Sequence, residues 1–173
     1  VYAEIPRPDA LERRYHSKFG LNELENLNKA FGGDPTWEIL DDPVPSRFPN
    51  LKSAYFLYLF HVWDNECHSP VTRGKDGKPV PVYLLPVDEQ CRLDIISWQK
   101  QRDTYFSAWM DTGPLEIAAW RLMADPNSDH NQWGRHLCRD IEEGTKMPTY
   151  YFLERFYARR NGEEDRTCPI CGK

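Results

Sequence analysis

The sequence predicts an α+β fold, and three observations carry the prediction. Apolar residues recur at helical spacing in the first thirty residues and again between Cys91 and Ile141. Two runs rich in Tyr, Phe and Leu, Ser53 to Trp63 and Thr149 to Tyr157, have the composition of strands. Pro- and Gly-rich connections separate the two kinds of segment. The expected arrangement is a helical N-terminal part, a small antiparallel sheet with a hairpin region, and a three-helix segment between strands. Residues 1–50 form the helical segment and its Pro-rich connection, and residues 51–173 form the α+β core.

Taken in order, helices are expected over Asp9 to Lys18 and Asn22 to Phe31, the second with Leu21, Leu24, Leu27 and Phe31 on one side and Gly32-Gly33 as a stop. Asp41 to Pro49 holds three prolines and is a connection. Ser53 to Trp63 reads as a buried strand, although a buried helix fits the same apolar run. His61 within it reads as a hydrogen-bonded interior residue. Thr72 to Lys78 is a turn in which Asp76-Gly77 supplies the positive φ of a tight hairpin. Val80 to Val87 follows as a strand, placed at an edge by Pro79, Pro81 and Pro86.

Three helices come next. Cys91, Ile95, Trp98, Tyr105 and Trp109 mark one face of the first. The second opens on Pro114, with Glu116 in its first turn and Leu115, Ala118, Ala119, Leu122 and Met123 facing inward. The third has Ser128 as N-cap, Trp133, Leu137 and Ile141 on one face, and Gly144 as terminator. Gly134 in its middle is costly unless another part of the chain packs close there. The last strand, Thr149 to Tyr157, sets Tyr150, Phe152 and Phe156 on one side and Tyr151, Leu153 and Tyr157 on the other.

Charge and length narrow the function. At 173 residues and a net charge of −5, the chain suits one well-buried domain and argues against a general nucleic-acid coat. Residues 1–66 sum to −4, 67–145 to −3 and 146–173 to +2, so only the C-terminal end is basic. The longest apolar run, Ala54 to Phe60, is far short of the roughly 20 residues of a membrane helix. No basic stretch followed by an apolar core opens the chain, so no secretory signal is visible. The first residue is Val1 rather than Met, which reads as a fragment or a renumbered product.

Five scattered cysteines suit a reducing cytoplasm better than a disulfide scaffold. Cys91 and Cys138 fall on helices, where a free Cys behaves as a small hydrophobe. Cys168-Pro169-Ile170-Cys171-Gly172 is different. It has the form of a zinc knuckle, in which two thiolates two residues apart share one ion and the Gly permits the turn. Zinc is therefore the candidate cofactor, with an incomplete ligand set: Cys168 and Cys171, then Cys67 and His68, with His61 or residues beyond Lys173 as alternatives.

The ordered series Ser69-Pro70-Val71, Pro79 to Pro86, Trp98-Gln99, Gly113 with Glu116, Gly134-Arg135, Ile141-Glu142, Pro148 to Tyr151 and Arg166 to Gly172 resembles a family of uncharacterised bacterial proteins. That family is described as zinc-ribbon-containing and linked to nucleic-acid binding, and the resemblance covers about residues 67–173. It implies a zinc-ribbon-like hairpin region. It also implies a departure, since relatives carry a first Cys-x-x-Cys where this chain has Arg73 and Asp76. An Arg–Asp pair could close the same turn without metal, so the resemblance implies a ribbon whose zinc site is lost or rebuilt.

A non-catalytic binding protein is the expected function, with nucleic acid as the first candidate partner. Arg155, Arg159, Arg160 and Arg166, interleaved with Phe156 and Tyr157, are the candidate phosphate and base contacts. A protein-interaction or assembly subunit is the second reading, built on the acidic N-terminal part and the many aromatics. An enzyme is the third, resting on Glu116, Arg135, Glu142, Tyr150 and Tyr151 as an acid–base cluster. Against it, no Ser-His-Asp spacing, phosphate loop or complete metal triad is visible. Arg135 and Glu142, seven apart on one helix, read as structural hydrogen-bonding residues.

Overall fold

The computed structural model of the protein describes residues 5–38, 40, 51, 54–60, 69–111, 113–157, 162–163, 165–169 and 172. His61, Cys67, His68, Arg159, Arg160 and Cys171 lie outside the described residues.

The N-terminal helix α1 spans Lys18–Phe31. It starts where Ser17 Oγ accepts the Gly20 N–H at 3.1 Å and stops at Gly32, whose φ of +73° suits the left-handed cap. The expected helix over Asp9 to Lys18 is instead two 3-10 turns, Pro8–Leu11 and Arg13–Tyr15. That stretch carries no apolar stripe of its own. It is held by Tyr83, whose hydroxyl donates to Asp9 Oδ1 at 2.8 Å and whose ring meets that of Tyr15 at 4.7 Å.

Three short strands form one sheet: β1 Leu57–Leu59, β2 Val71–Arg73 and β3 Thr149–Tyr151, in the order β2-β1-β3. β1 runs antiparallel to β2, with Leu57 opposite Arg73, and parallel to β3, with Leu57 opposite Thr149. The sheet is therefore mixed rather than antiparallel. A parallel neighbour needs a crossover of a dozen or more residues, and the three helices before β3 supply it. The expected edge strand over Val80 to Val87 is not formed. Its prolines leave a single bridge, Thr72 to Pro79, and a 3-10 turn at Val82–Leu84, while Val80 and Leu85 still plug the core.

Helices α2 (Glu89–Asp111), α3 (Glu116–Ala124) and α4 (Asp129–Thr145) make up the crossover. On α2, Ile95 and Trp98 are buried as the spacing predicts. On α3 only Ala119 and Met123 point inward, whereas Leu115 and Leu122 are exposed; the short helix has room to bury one narrow stripe. Ser128 caps α4, its Oγ accepting the Asn131 N–H at 3.2 Å. Gly144 does not terminate that helix, which runs one residue further to a left-handed Lys146 at φ +59°. Gly144 is needed for space, because a Cβ there would lie 2.6 Å from the Pro86 carbonyl oxygen.

The core forms between the inner sheet face and α2 and α4, where Leu57, Leu59, Val71, Ile95, Trp98, Leu137 and Ile141 are buried. Gly134 brings α4 close to the sheet, since a Cβ there would lie 2.0 Å from the Tyr151 ring. No helix among the described residues is long and apolar enough to cross a membrane.

Candidate functional site

Strand alternation sends Leu57, Leu59 and Tyr151 inward and their neighbours outward. The neighbours are aromatic. On β1 and its flanks these are Phe56, Tyr58 and Phe60, and on β3 they are Tyr150 followed by Phe152. The parallel register sets Tyr58 opposite Tyr150, and the Phe152 N–H donates to the Leu59 carbonyl at 3.1 Å, continuing the ladder. Their rings touch: Phe60 and Phe152 at 4.4 Å, Phe56 and Tyr150 at 5.6 Å, Tyr58 and Phe60 at 6.1 Å. Tyr150 and Phe152 remain 59% and 41% exposed, so the solvent-facing side of this sheet is a row of accessible rings. Tyr150 and Phe152 fall on one side as the sequence predicts, but the expected strand to Tyr157 is cut short, β3 ending at Tyr151 with one further ladder bond at Phe152, so Phe156 does not continue the strand. The counterpart at Phe56, Tyr58 and Phe60 has the same period-two signal, which the reading of Ser53 to Trp63 as wholly buried passes over.

One end of this row is bounded by the turn after β2. Arg73 pairs with Asp76, with Nε donating to Oδ1 at 3.1 Å, and the turn closes where the Gly77 N–H donates to the Arg73 carbonyl at 3.0 Å. Gly77 sits at φ +67°, the conformation expected of Asp76-Gly77. The Arg73 hydrogen bond holds the Asp76 carboxyl below the ordinary carboxylate range. Gly74 is required here, as a Cβ would fall 1.9 Å from the Phe56 ring. Burial, and then the Asp76 charge, push the Tyr58 hydroxyl upward. Lys75 Nζ lies 5.9 Å over the Tyr55 ring, and Lys78 and Lys146 are close in sequence to the same end of the sheet.

The C-terminal turn has the same closure, with the Gly172 N–H donating to the Cys168 carbonyl at 2.8 Å and Gly172 at φ +72°. The two five-residue segments thus share a closing hydrogen bond and a positive-φ Gly, and in sequence one carries Arg73 and Asp76 where the other carries two cysteines. The first does not fit zinc: a guanidinium offers no lone pair, and its Asp is paired with it. Among the described residues no group of three or more His, Cys, Asp or Glu is placed to hold a metal ion. Of the sequence-predicted ligands only Cys168 is described, and it is half-buried.

Beneath the aromatic row the sheet is locked to α2 and α4. Tyr151 Oη donates to Asn131 Oδ1 at 2.6 Å, and the fully buried Asn131 donates to the carbonyls of Met123 and Asp125. Burial pushes Tyr151 up to about 12. His130 stacks on Trp98 at 5.2 Å and is held neutral, down to about 4, by burial and then by Arg102. Arg102 pairs at 3.2 Å with Glu154, whose other oxygen accepts the Arg155 and Phe156 N–H groups. Burial also raises Cys138 to about 12 and Cys91 to about 11, leaving both thiols unreactive.

The described candidate arginines are engaged within the chain. Arg155 donates to the Thr167 carbonyl, and Arg166 pairs at 3.3 Å with the buried Glu163. Of the five residues of the enzyme reading, Arg135 lies near enough to Tyr151 for its charge to counter part of the effect of burial there, and its Nη1 is buried without a hydrogen-bond partner among the described residues. Glu116 accepts from Tyr157 Oη at 2.8 Å, Glu142 accepts the Thr149 N–H at 3.2 Å, and Tyr150 and Tyr151 lie on opposite faces of the sheet.

Fold and surface together define a small α+β protein with an aromatic sheet face flanked by a glycine-closed turn. The chain belongs to the family described as a domain of unknown function, DUF2310, whose model matches residues 52–154, more than half of its length. It is similar to two uncharacterised proteins of Haemophilus influenzae, each 32% identical. One match spans 157 residues, 88% of this chain and 58% of the relative, and the other 118 residues, 67% and 57%. The chain thus spans less than three-fifths of these curated relatives. No solved structure matches it.

Proposed function

We propose that the protein is a non-catalytic module that binds single-stranded nucleic acid on its aromatic sheet face, and that it is related to zinc ribbons through its two knuckle turns. The observation that carries this reading is the row of touching rings, Phe56, Tyr58, Phe60, Tyr150 and Phe152, on the solvent side of a three-stranded sheet. Bases stack on such rings irrespective of sequence, each stacked base contributing about 1–3 kcal/mol. A duplex hides the faces of its bases, so the expected partner is a single strand. Lys75, Lys78 and Lys146 supply positive charge near one end of the row, and Arg159 and Arg160 are the candidates for further phosphate contacts.

Zinc has no part in this reading at the first knuckle, where the Arg73–Asp76 pair closes the turn. At the second, Cys168 and Cys171 are half a ligand set, which Cys67 or His68 would have to complete. Cys91, Cys138 and Cys168 are free thiols, which suits a reducing cytoplasm. Exposed Met110, Leu115 and Ile117 near α3 favour a second reading, a protein-assembly surface.

The test is binding of labelled oligo(dT) and oligo(rU), single-stranded and annealed to their complements, across a salt series. Two or three phosphate contacts give a slope of log affinity on log salt of about −2 on single strands. Equal binding of duplex and single strand contradicts stacking on the sheet face. No binding to either, with capture of a protein partner that Leu115→Lys abolishes, replaces the proposal with the assembly reading.

A further inference from the structure

The first turn of α4 sets His130 and Asn131 side by side in the interior. Asn131 is committed to structure, since it donates to the Met123 and Asp125 carbonyls at the α3–α4 turn and accepts from Tyr151 Oη on β3. His130 is a titratable ring that is only 2% exposed. It lies flat on Trp98 of α2, with the ring planes 9° apart, and meets the Tyr105 ring, also of α2, at 83°.

Its two nitrogens have unequal surroundings. Nδ1 lies 2.8 Å from Gln101 Oε1, an oxygen that only accepts, so the neutral ring carries its proton there. Nε2 then bears the lone pair, and it is buried without a hydrogen-bond partner among the described residues. A second proton would enter at Nε2, where it would meet neither an acceptor nor solvent. The charge acting on the ring is the buried Arg102 guanidinium of α2, which has the same sign as an imidazolium. The carboxylate that balances Arg102, Glu154, bonds Arg102 and the Arg155 and Phe156 N–H groups rather than the imidazole. Tyr105 and, across Trp98, Tyr151 are phenols that bring no balancing charge, Arg135 of α4 adds another cation beside Tyr151, and Asp129 of α4 is exposed. Burial first, and Arg102 second, lower the imidazole to about 4.

We propose that His130 is an acid-operated latch: a proton at Nε2 cannot be held in the closed corner of α2, α3 and α4, so acid opens that corner and, through Asn131, frees Tyr151 beneath the aromatic sheet face. The opened ring titrates at its ordinary 6.5, so closure is complete above that value and is lost as pH falls from it toward 4. Those two values make the opening constant about twentyfold larger at pH 5 than at pH 7.

The test is native-state hydrogen exchange of the full-length protein at pH 7 and pH 5, read as protection factors so that the intrinsic pH dependence of exchange is removed. Asp125, Asn131 and Gln132, whose N–H groups are bonded within the corner, are expected to lose about twentyfold in protection. That loss should be absent in His130→Gln, which cannot titrate. Low concentrations of urea should leave exchange at these three amides unchanged while speeding it at Ile141, because the opening is local. In the native protein the His130 ring-carbon signal should change with pH only in step with the corner amides. Equal protection at the two pH values, the same loss in His130→Gln, a urea dependence matching that of Ile141, or a ring signal that titrates near 6.5 while the corner stays protected each overturns the proposal.

Discussion

Gly134→Ala is a change of one methyl group whose cost follows from the packing of α4 on β3. In an open helix the substitution stabilises by about 1 kcal/mol. Here the new Cβ would lie 2.0 Å from Tyr151 Cε2 and 2.9 Å from Trp98 Nε1, where ordinary contact begins near 3.4 Å. The Tyr151 ring cannot simply step aside. Its hydroxyl is bound to Asn131 at 2.6 Å, and its edge packs on Trp98 with ring centres 5.9 Å apart. Overpacking costs about 1–3 kcal/mol, and a displaced buried hydrogen bond about 1–3 more. Less the gain in helix propensity, the net destabilisation is about 3 kcal/mol, or about 6–12 °C in melting temperature for a chain of this length. Urea unfolding followed by circular dichroism measures it. A Tyr151→Val background should remove most of the cost, because the nearest clashing ring is gone while the 2.9 Å approach to Trp98 Nε1 remains. A Gly134→Ala protein as stable as the native one, or more stable, refutes the packing argument.

Three further outcomes are expected. Glu154→Ala strands the Arg102 guanidinium, whose side chain is 3% exposed, and should cost about 3–4 kcal/mol in urea unfolding. Asp76→Asn tests the Arg73–Asp76 turn by pH. The Asp76 carboxyl is depressed in the folded protein, so its contribution is present above the ordinary value of 3.8 and is lost as pH falls through the lower folded value. The stability gap between native and Asp76→Asn proteins should therefore be full near neutrality and close in acid; a gap independent of pH contradicts the ion pair's role. Metal analysis of purified protein is expected to give well under one zinc per chain, and a full equivalent lost on Cys168→Ser contradicts the loss of the zinc site and shows that other ligands complete the Cys168–Cys171 pair.

The helical part of the fold was legible because its signals are local. Ser128, the α2 stripe of Ile95 and Trp98, and Gly32 after Phe31 each mark a helix by chemistry within a few residues. The Arg73–Asp76 pair was legible for the same reason, lying within one turn. The parallel pairing of β1 with β3 was not, because strand direction depends on how three helices fold back and no local residue encodes it. Val80 to Val87 misled because alternation and burial persist there while prolines withhold the N–H groups a ladder needs. The candidate surface was half legible. Tyr150 and Phe152 show as one face of a strand, but recognising Phe56, Tyr58 and Phe60 as their neighbours requires the register. Arg155 and Arg166 read as free cations in sequence and prove to be spent on Thr167 and Glu163.

The central claim is that binding resides on the aromatic sheet face, and fluorescence anisotropy with labelled oligo(dT) on paired variants tests it most directly. Tyr150→Ala and Phe152→Ala remove rings that are 59% and 41% exposed, so stability should change little. Each is expected to weaken binding by about 1–3 kcal/mol, roughly five- to hundredfold. Unchanged affinity in the folded double variant contradicts the account and moves the binding surface away from the sheet.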